Sequence, residues 1–207
     1  MARRFSAQRG RLMLVLTLAA LSLTLMIGSA PASATSAGLG IACPTPTSQV
    51  FRAWSDYAYY AALVDGGFEA RASGWSLAGG AKVVAGNEPF YLNKSSDRSS
   101  LLLPAGSSAT SPPMCISLLS SKMRFVLGGP SGSSVKVQVV YRGLLSSVLG
   151  SFDGGTATSN GNWAPSPEIP MLGGVLPVLT RSVQFRFVSI AGKPQIDDAY
   201  LDPWKIG

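Results

Sequence analysis

Two short stretches combine aromatic rings with hydrogen-bonding groups. Residues 87–93 (NEPFYLN) place Phe90 and Tyr91 beside Glu88 and two amides, and residues 160–163 (NGNW) set Trp163 next to Asn162 in a turn. Ring faces that meet C–H groups, flanked by amides or carboxylates that meet hydroxyls, suit sugar recognition at concave surfaces or loop tips. Each stretch has a plainer reading. Phe90 and Tyr91 would divide across a strand, one buried and one exposed, and Trp163 would start a strand and enter the core. Trp75 reads as a core residue, and Trp54 and Trp204 as packing between the two chain ends. Acid–base chemistry is poorly supplied. The chain has 10 acidic residues and no histidine. That excludes Ser-His-Asp and Cys-His nucleophiles and His-ligated zinc or haem. Two carboxylates about 5–10 Å apart suffice for glycoside hydrolysis. Glu88 with Asp153 or Glu168 is the conceivable pair, and nothing in their spacing supports it. The expectation is a protein that is not an enzyme.

These residues need a scaffold, and composition points to a turn-rich one, with 46% hydrophobic residues, 13% charged, 23 Gly and 14 Pro. The formal charge of +7 is misleading. Four of the 17 Lys and Arg, namely Arg3, Arg4, Arg9 and Arg11, stand in the first eleven positions with no acid among them; without these, 13 basic face 10 acidic residues. The remainder are scattered and make no phosphate-tracking stripe, so nucleic acid is not an expected partner.

The basic start is followed by an uncharged apolar run over 12–27 and a small-residue segment ending Ala32-Ser33-Ala34. That order is a signal peptide over 1–34 with an A-x-A cleavage pattern. Sixteen apolar residues fall short of the roughly 20 that span a bilayer. The expected product is secreted or extracellular, in some settings cell-surface associated, with no membrane span after cleavage. Cys43 and Cys115 are the two cysteines. An even count in an oxidising compartment reads as one disulfide, with two free thiols as the alternative. The bridge would close a loop of about 70 residues, contributing roughly 4 kcal/mol in the chain-entropy model.

After an extension over 35–64, brief apolar runs recur every 8–12 residues between turn signals. Strands are expected near 80–85, 99–104, 113–119, 122–128, 134–142, 145–152, 182–191 and 195–201. Val135, Val137 and Val139 alternate with Lys136 and Gln138, and Val183, Phe185 and Phe187 alternate with Gln184 and Arg186. Period-two patterning puts one face on a core and the other toward solvent. The fold class is all-β, an antiparallel sandwich over 65–207. The apolar, Pro- and Gly-bearing stretch 169–179 reads as a loop that folds over the sandwich end or leaves a sticky patch.

Asp65-Gly66-Gly67-Phe68-Glu69, then Gly74-Trp75, then Gln195-Ile196-Asp197-Asp198-Ala199-Tyr200-Leu201 form a frame. It resembles jelly-roll carbohydrate-binding modules of the galactose-binding-like class, which open with N-G-x-F-E, carry a G-W soon after and close with I-D-D-V-x-L. The chain also resembles uncharacterised exported proteins of high-GC Gram-positive bacteria. The resemblance implies a structural calcium ion held by Glu69 and one carboxylate of the Asp197-Asp198 pair. Strand parity selects Asp197, which shares its face with Ala199 and Leu201. A buried carboxylate needs a partner or a metal; the alternative partners are backbone amides or an Arg such as Arg71. The expected function is a non-catalytic module that binds a glycan or cell-envelope component. A structural or adhesive surface protein that contacts other proteins is the alternative.

Overall fold

The computed structural model describes residues 48–115, 122–171 and 179–202. The leader, Cys43, Trp204 and residues 172–178 of the apolar stretch lie outside them. The described strands are β1 (Ala61–Ala62), β2 (Ser76–Ala78), β3 (Lys82–Ala85), β4 (Ser99–Leu102), β5 (Ser108–Thr110), β6 (Met114–Cys115), β7 (Lys122–Gly128), β8 (Ser134–Arg142), β9 (Val148–Thr158), β10 (Ala164–Pro165), β11 (Ile169–Pro170), β12 (Ser182–Ala191) and β13 (Gln195–Leu201). They form two antiparallel sheets. One runs β10-β7-β13-β4-β3, with β1 on β13 and β11 on β7; the other runs β2-β5-β12-β8-β9, with β6 on β12. The protein is a jelly-roll β-sandwich.

Alternation explains the second sheet. Val135, Val137, Val139 and Tyr141 of β8 and Val183, Phe185 and Phe187 of β12 are buried, while Lys136, Gln138, Gln184 and Arg186 stay in contact with solvent. Their apolar face meets Met123, Phe125 and Leu127 of β7 and Ile196, Ala199 and Leu201 of β13 in one core. Trp75 belongs to that core as expected, stacked on Phe187 with centroids 5.9 Å apart, its indole N–H donating to the Val64 carbonyl at 2.8 Å.

The first sheet is covered on both sides, so its patterning is less regular. Residues 48–60 lie over its outer face as a strap. Phe51 and Tyr60 pack there with Val126 and Tyr200 in a second apolar cluster. Val126 faces the strap while its neighbours Phe125 and Leu127 face the main core, as the pleat requires. A two-sided burden of this kind gives β13 a nearly continuous buried run.

The expected strand ends match β7, β8, β12 and β13, and β3 and β4 lie within the expected 80–85 and 99–104, each sharing one end. The expected 145–152 strand begins with a helical turn, Leu144–Ser146, and β9 continues to Thr158. Gly154 and Gly155 there sit at a register shift opposite Val137 and Gln138, where a bulge accommodates them. The expected 113–119 strand is described only at Met114–Cys115, where Cys115 pairs in register with Ser182. The strands β1, β2, β5, β10 and β11 hold two or three residues each, too few for a period to register.

Candidate functional site

The two stretches singled out for sugar chemistry meet. Pro89, Phe90, Pro130, Asn162, Trp163 and Gln195 line one shallow depression of about 560 Å3. Each aromatic comes from a different segment, held by a different device.

Phe90 rides on the loop between β3 and β4. Glu88, fully buried, turns its carboxylate back into its own loop and accepts from the amides of Phe90 and, at 2.8 Å, Leu92. It therefore shapes the loop and does not line the depression. Phe90 and Tyr91 are 39% and 48% exposed, so the expected split into one buried and one exposed ring does not occur. Tyr91 takes φ +52°, a conformation L-residues rarely adopt, which turns it away from an extended path. It stands beside the depression without lining it. Trp54, from the strap, supports Phe90 edge-on at 4.8 Å.

Trp163 lies flat across Gly128 of β7. A Cβ on Gly128 would stand 2.6 Å from the indole ring, so only glycine admits this seat. The turn before it is tied by Ser159, whose hydroxyl donates to the Gly129 carbonyl at 2.8 Å and accepts from the Gly161 amide at 3.1 Å. The Asn162 amide donates to the Asn160 side chain at 2.9 Å. Trp163 is half-buried, one face on the protein and the rest toward the depression. The site thus joins two rings, a side-chain amide from Asn162 and another from Gln195 at the start of β13. Gln195 and Pro130 carried no local signal in the sequence; register alone brings them here.

A second place gathers charge. Glu88, Asp97, Asp197 and Asp198 are all buried, and no ion pair among the described residues reaches them. Asp197 accepts from the Glu88 amide at 3.1 Å and the Asp198 amide at 2.9 Å. Backbone amides, the alternative partners named above, are therefore its neighbours. Burial, and then the charges of Glu88 and Asp97, outweigh those two bonds and raise its carboxyl. Asp198 takes φ +46° at the register shift between Asp197 and Tyr200. The shift breaks strand parity and buries both carboxylates. Burial, then the adjacent Asp197, then contact with the Glu88 carboxylate push the Asp198 carboxyl up as well. Its Oδ2 is buried without a hydrogen-bond partner.

Asp198 lines a pocket of about 470 Å3 with Glu69, Gly66, Gly67 and Asn93. Gly67 leaves the approach open: a Cβ there would stand 3.0 Å from Asp198 Oδ1. Glu69 uses Oε1 to accept from the Arg98 and Ser99 amides at 2.7 and 2.6 Å. Carboxylate and carbonyl oxygens are the ligands a hard cation takes, and an unpartnered buried carboxylate oxygen calls for an explanation. Among the described residues no three His, Cys, Asp or Glu side chains are arrayed as a ready ligand set, so backbone oxygens would have to complete it. Asp198 rather than Asp197 lies on the pocket wall with Glu69.

The sandwich is similar to several solved structures. TmCBM61 in complex with β-1,4-galactotriose shares 24% identity, with TM-score 0.47, over 67% of this chain and 95% of that one. The CBM22-1–GH10 modules of Clostridium thermocellum endo-1,4-β-D-xylanase 10B, complexed with xylohexaose, share 14%, with TM-score 0.49, over 70% of this chain and 29% of that one. The enzymatically active domain of bacteriophage CBA120 tailspike protein 4 shares 16%, with TM-score 0.46, over 68% and 21%. The chain spans less than a third of the length of the last two. No protein-family model matches the chain, and no curated protein does.

Proposed function

We propose that this is a secreted, non-catalytic module that binds a glycan or cell-envelope component in the depression between Phe90 and Trp163. The observation that carries the reading is the convergence of two half-exposed rings with the Asn162 and Gln195 amides, from segments far apart in sequence. Rings offer an apolar face to the C–H side of a sugar, and amides donate to and accept from its hydroxyls. The depression is open and shallow, which suits a chain or chain end lying across it better than an enclosed small molecule. The raised carboxylates are buried behind the loop rather than in the depression, so they offer the bound ligand no acid or base. Calcium, held by Asp198, Glu69 and backbone oxygens, would neutralise the buried acids and stiffen the loop that bears Phe90.

Affinity electrophoresis through a panel of soluble polysaccharides tests the reading. Retardation by at least one of them is expected. Phe90→Ala and Asn162→Ala should each weaken it about tenfold, the equivalent of 1.4 kcal/mol, with an unchanged melting temperature. Retardation that survives both substitutions would place binding elsewhere, and no retardation on any glycan would favour the protein-contact alternative.

A further inference from the structure

The β8–β9 hairpin ends in an apolar tip that serves no core. Leu144 is 71% exposed, Leu145 fully exposed and Val148 59% exposed. Scattered single exposures of this kind are ordinary, but three within five residues form a patch. The tip is fixed rather than frayed. The Gly143 amide donates to the Ser147 carbonyl at 2.9 Å, and the Ser147 amide and hydroxyl donate to the Leu144 carbonyl at 3.1 and 2.9 Å. Leu145 and Ser146 both take positive φ, 53° and 57°, an unfavourable pair that holds the leucines outward.

Along the hairpin, the charge next to the tip is basic. The Arg142 guanidinium donates to the Ser146 carbonyl at 2.8 Å, which seats it at the base of the tip. The Arg181 amide donates to the Arg142 carbonyl at 2.7 Å, and Leu179, two residues earlier, is 55% exposed. No acid occurs in sequence between Asp97 and Asp153 or between Glu168 and Asp197. The nearest acid along the hairpin, Asp153, stands opposite Gln138, four residues back from Arg142, and is engaged with Gln138 and Lys136.

We propose that Leu144, Leu145 and Val148 insert into a lipid bilayer with anionic headgroups, while Arg142 and Arg181 meet those headgroups at the surface. A convex tip of leucines above a basic collar matches the two layers of such a surface, apolar below and anionic above. A protein partner would need a groove of the opposite shape and an acidic rim. The proposal is independent of the glycan reading, because the tip shares no residue with the depression.

The test uses Leu145→Trp in the full chain, with vesicles of phosphatidylglycerol or of phosphatidylcholine. The apolar run over 12–27 is common to parent and variant, so the reading is the difference in emission between them. With phosphatidylglycerol the added indole should shift to the blue and be quenched by bromine-labelled acyl chains. Adding Leu144→Ser and Val148→Ser should abolish the shift, and Arg142→Gln with Arg181→Gln should weaken it about tenfold or more at low salt. No quenching of the added indole overturns the proposal. Equal quenching in phosphatidylcholine overturns its electrostatic half. A blue shift that appears without vesicles as the protein self-associates assigns the tip to a second copy instead.

Discussion

Two buried acid sites lie under segments that carry aromatics of the candidate site, and they are solved in opposite ways. Under the strap, Asp56 meets Arg124 at 2.8 Å, Lys122 at 3.6 Å and the Tyr60 hydroxyl at 2.6 Å. Burial works against its ionisation, but the bonds from Tyr60, Arg124 and the Ala58 amide and the charge of Lys122 outweigh it, so the carboxyl lies below its usual range. Behind the loop, Asp197 and Asp198 face Glu88 and Asp97 with no cation from the described residues, and their carboxyls are raised. Burial is common to both places; the partner decides the sign. The first site is complete within the chain and locks down the strap that carries Trp54. The second is incomplete, and it underlies the loop that carries Phe90. One wall of the depression is therefore held within the chain, and the other rests on crowded acids that the calcium proposed above would make tunable.

Breaking the complete site should have the largest effect. Arg124→Ala takes from Asp56 its nearest cation, leaving Lys122 and the Tyr60 hydroxyl, and removes the guanidinium from the face of Phe51, 4.8 Å away. Loss of one partner of a buried pair costs about 3–5 kcal/mol, readable by urea denaturation, and glycan affinity should fall with it as Trp54 loosens. A loss below about 1 kcal/mol, typical of a surface pair, would show the strap is held by apolar contact alone.

The pH dependence separates the two sites next. In chelator, Asp197, raised to about 7, holds a proton in the folded state that the unfolded chain has released. Stability is then fullest near pH 4 and declines as pH rises toward about 7, by at most about 1.4 kcal/mol per pH unit per proton. Asp56 has the opposite sign: its stabilisation is present above the usual carboxylate range and is lost as pH falls below it. Calcium should flatten the upper slope and leave the acid side unchanged. A neutral-pH slope that calcium does not alter would contradict the tunable assignment.

The smallest effect sharpens the comparison at one atom. Asp198→Asn removes one of the crowded acids and with it the cost of keeping that acid protonated near neutral pH, so in chelator it should raise the melting temperature by about 2–4 °C, the equivalent of about 1 kcal/mol in a domain of this size. In calcium the same variant should lose the stabilisation that the parent gains. Improvement in both conditions would mean no cation is held there.

Much of the scaffold was legible. The alternation in β8 and β12 located their ends and their inner faces, because each strand has one wet face and one dry one. The two candidate stretches were legible by composition, but their meeting was not: it depends on Gly128 admitting Trp163 and on the β7–β13 register bringing Gln195 beside them. Strand parity put Asp197 on the inward face, and it is buried there. The same parity pointed Asp198 outward, and the register shift at φ +46° buries it too. Parity has no means to foresee a bulge. Glu88 read as a sugar-facing acid because side-chain type gives no hint that a carboxylate will turn back on its own loop.

The central claim is that the depression between Phe90 and Trp163 holds the ligand. An NMR titration of the indole N–H signals with an oligosaccharide that binds tests it most directly, since Trp75 is sealed in the core and serves as an internal reference. The account predicts that the Trp163 signal moves in proportion to occupancy, together with the side-chain amide of Asn162, while Trp75 stays still. Shifts confined to Gln138, Gln184 and Arg186 on the outer face of the β12–β8 sheet, with Trp163 unmoved, would contradict it.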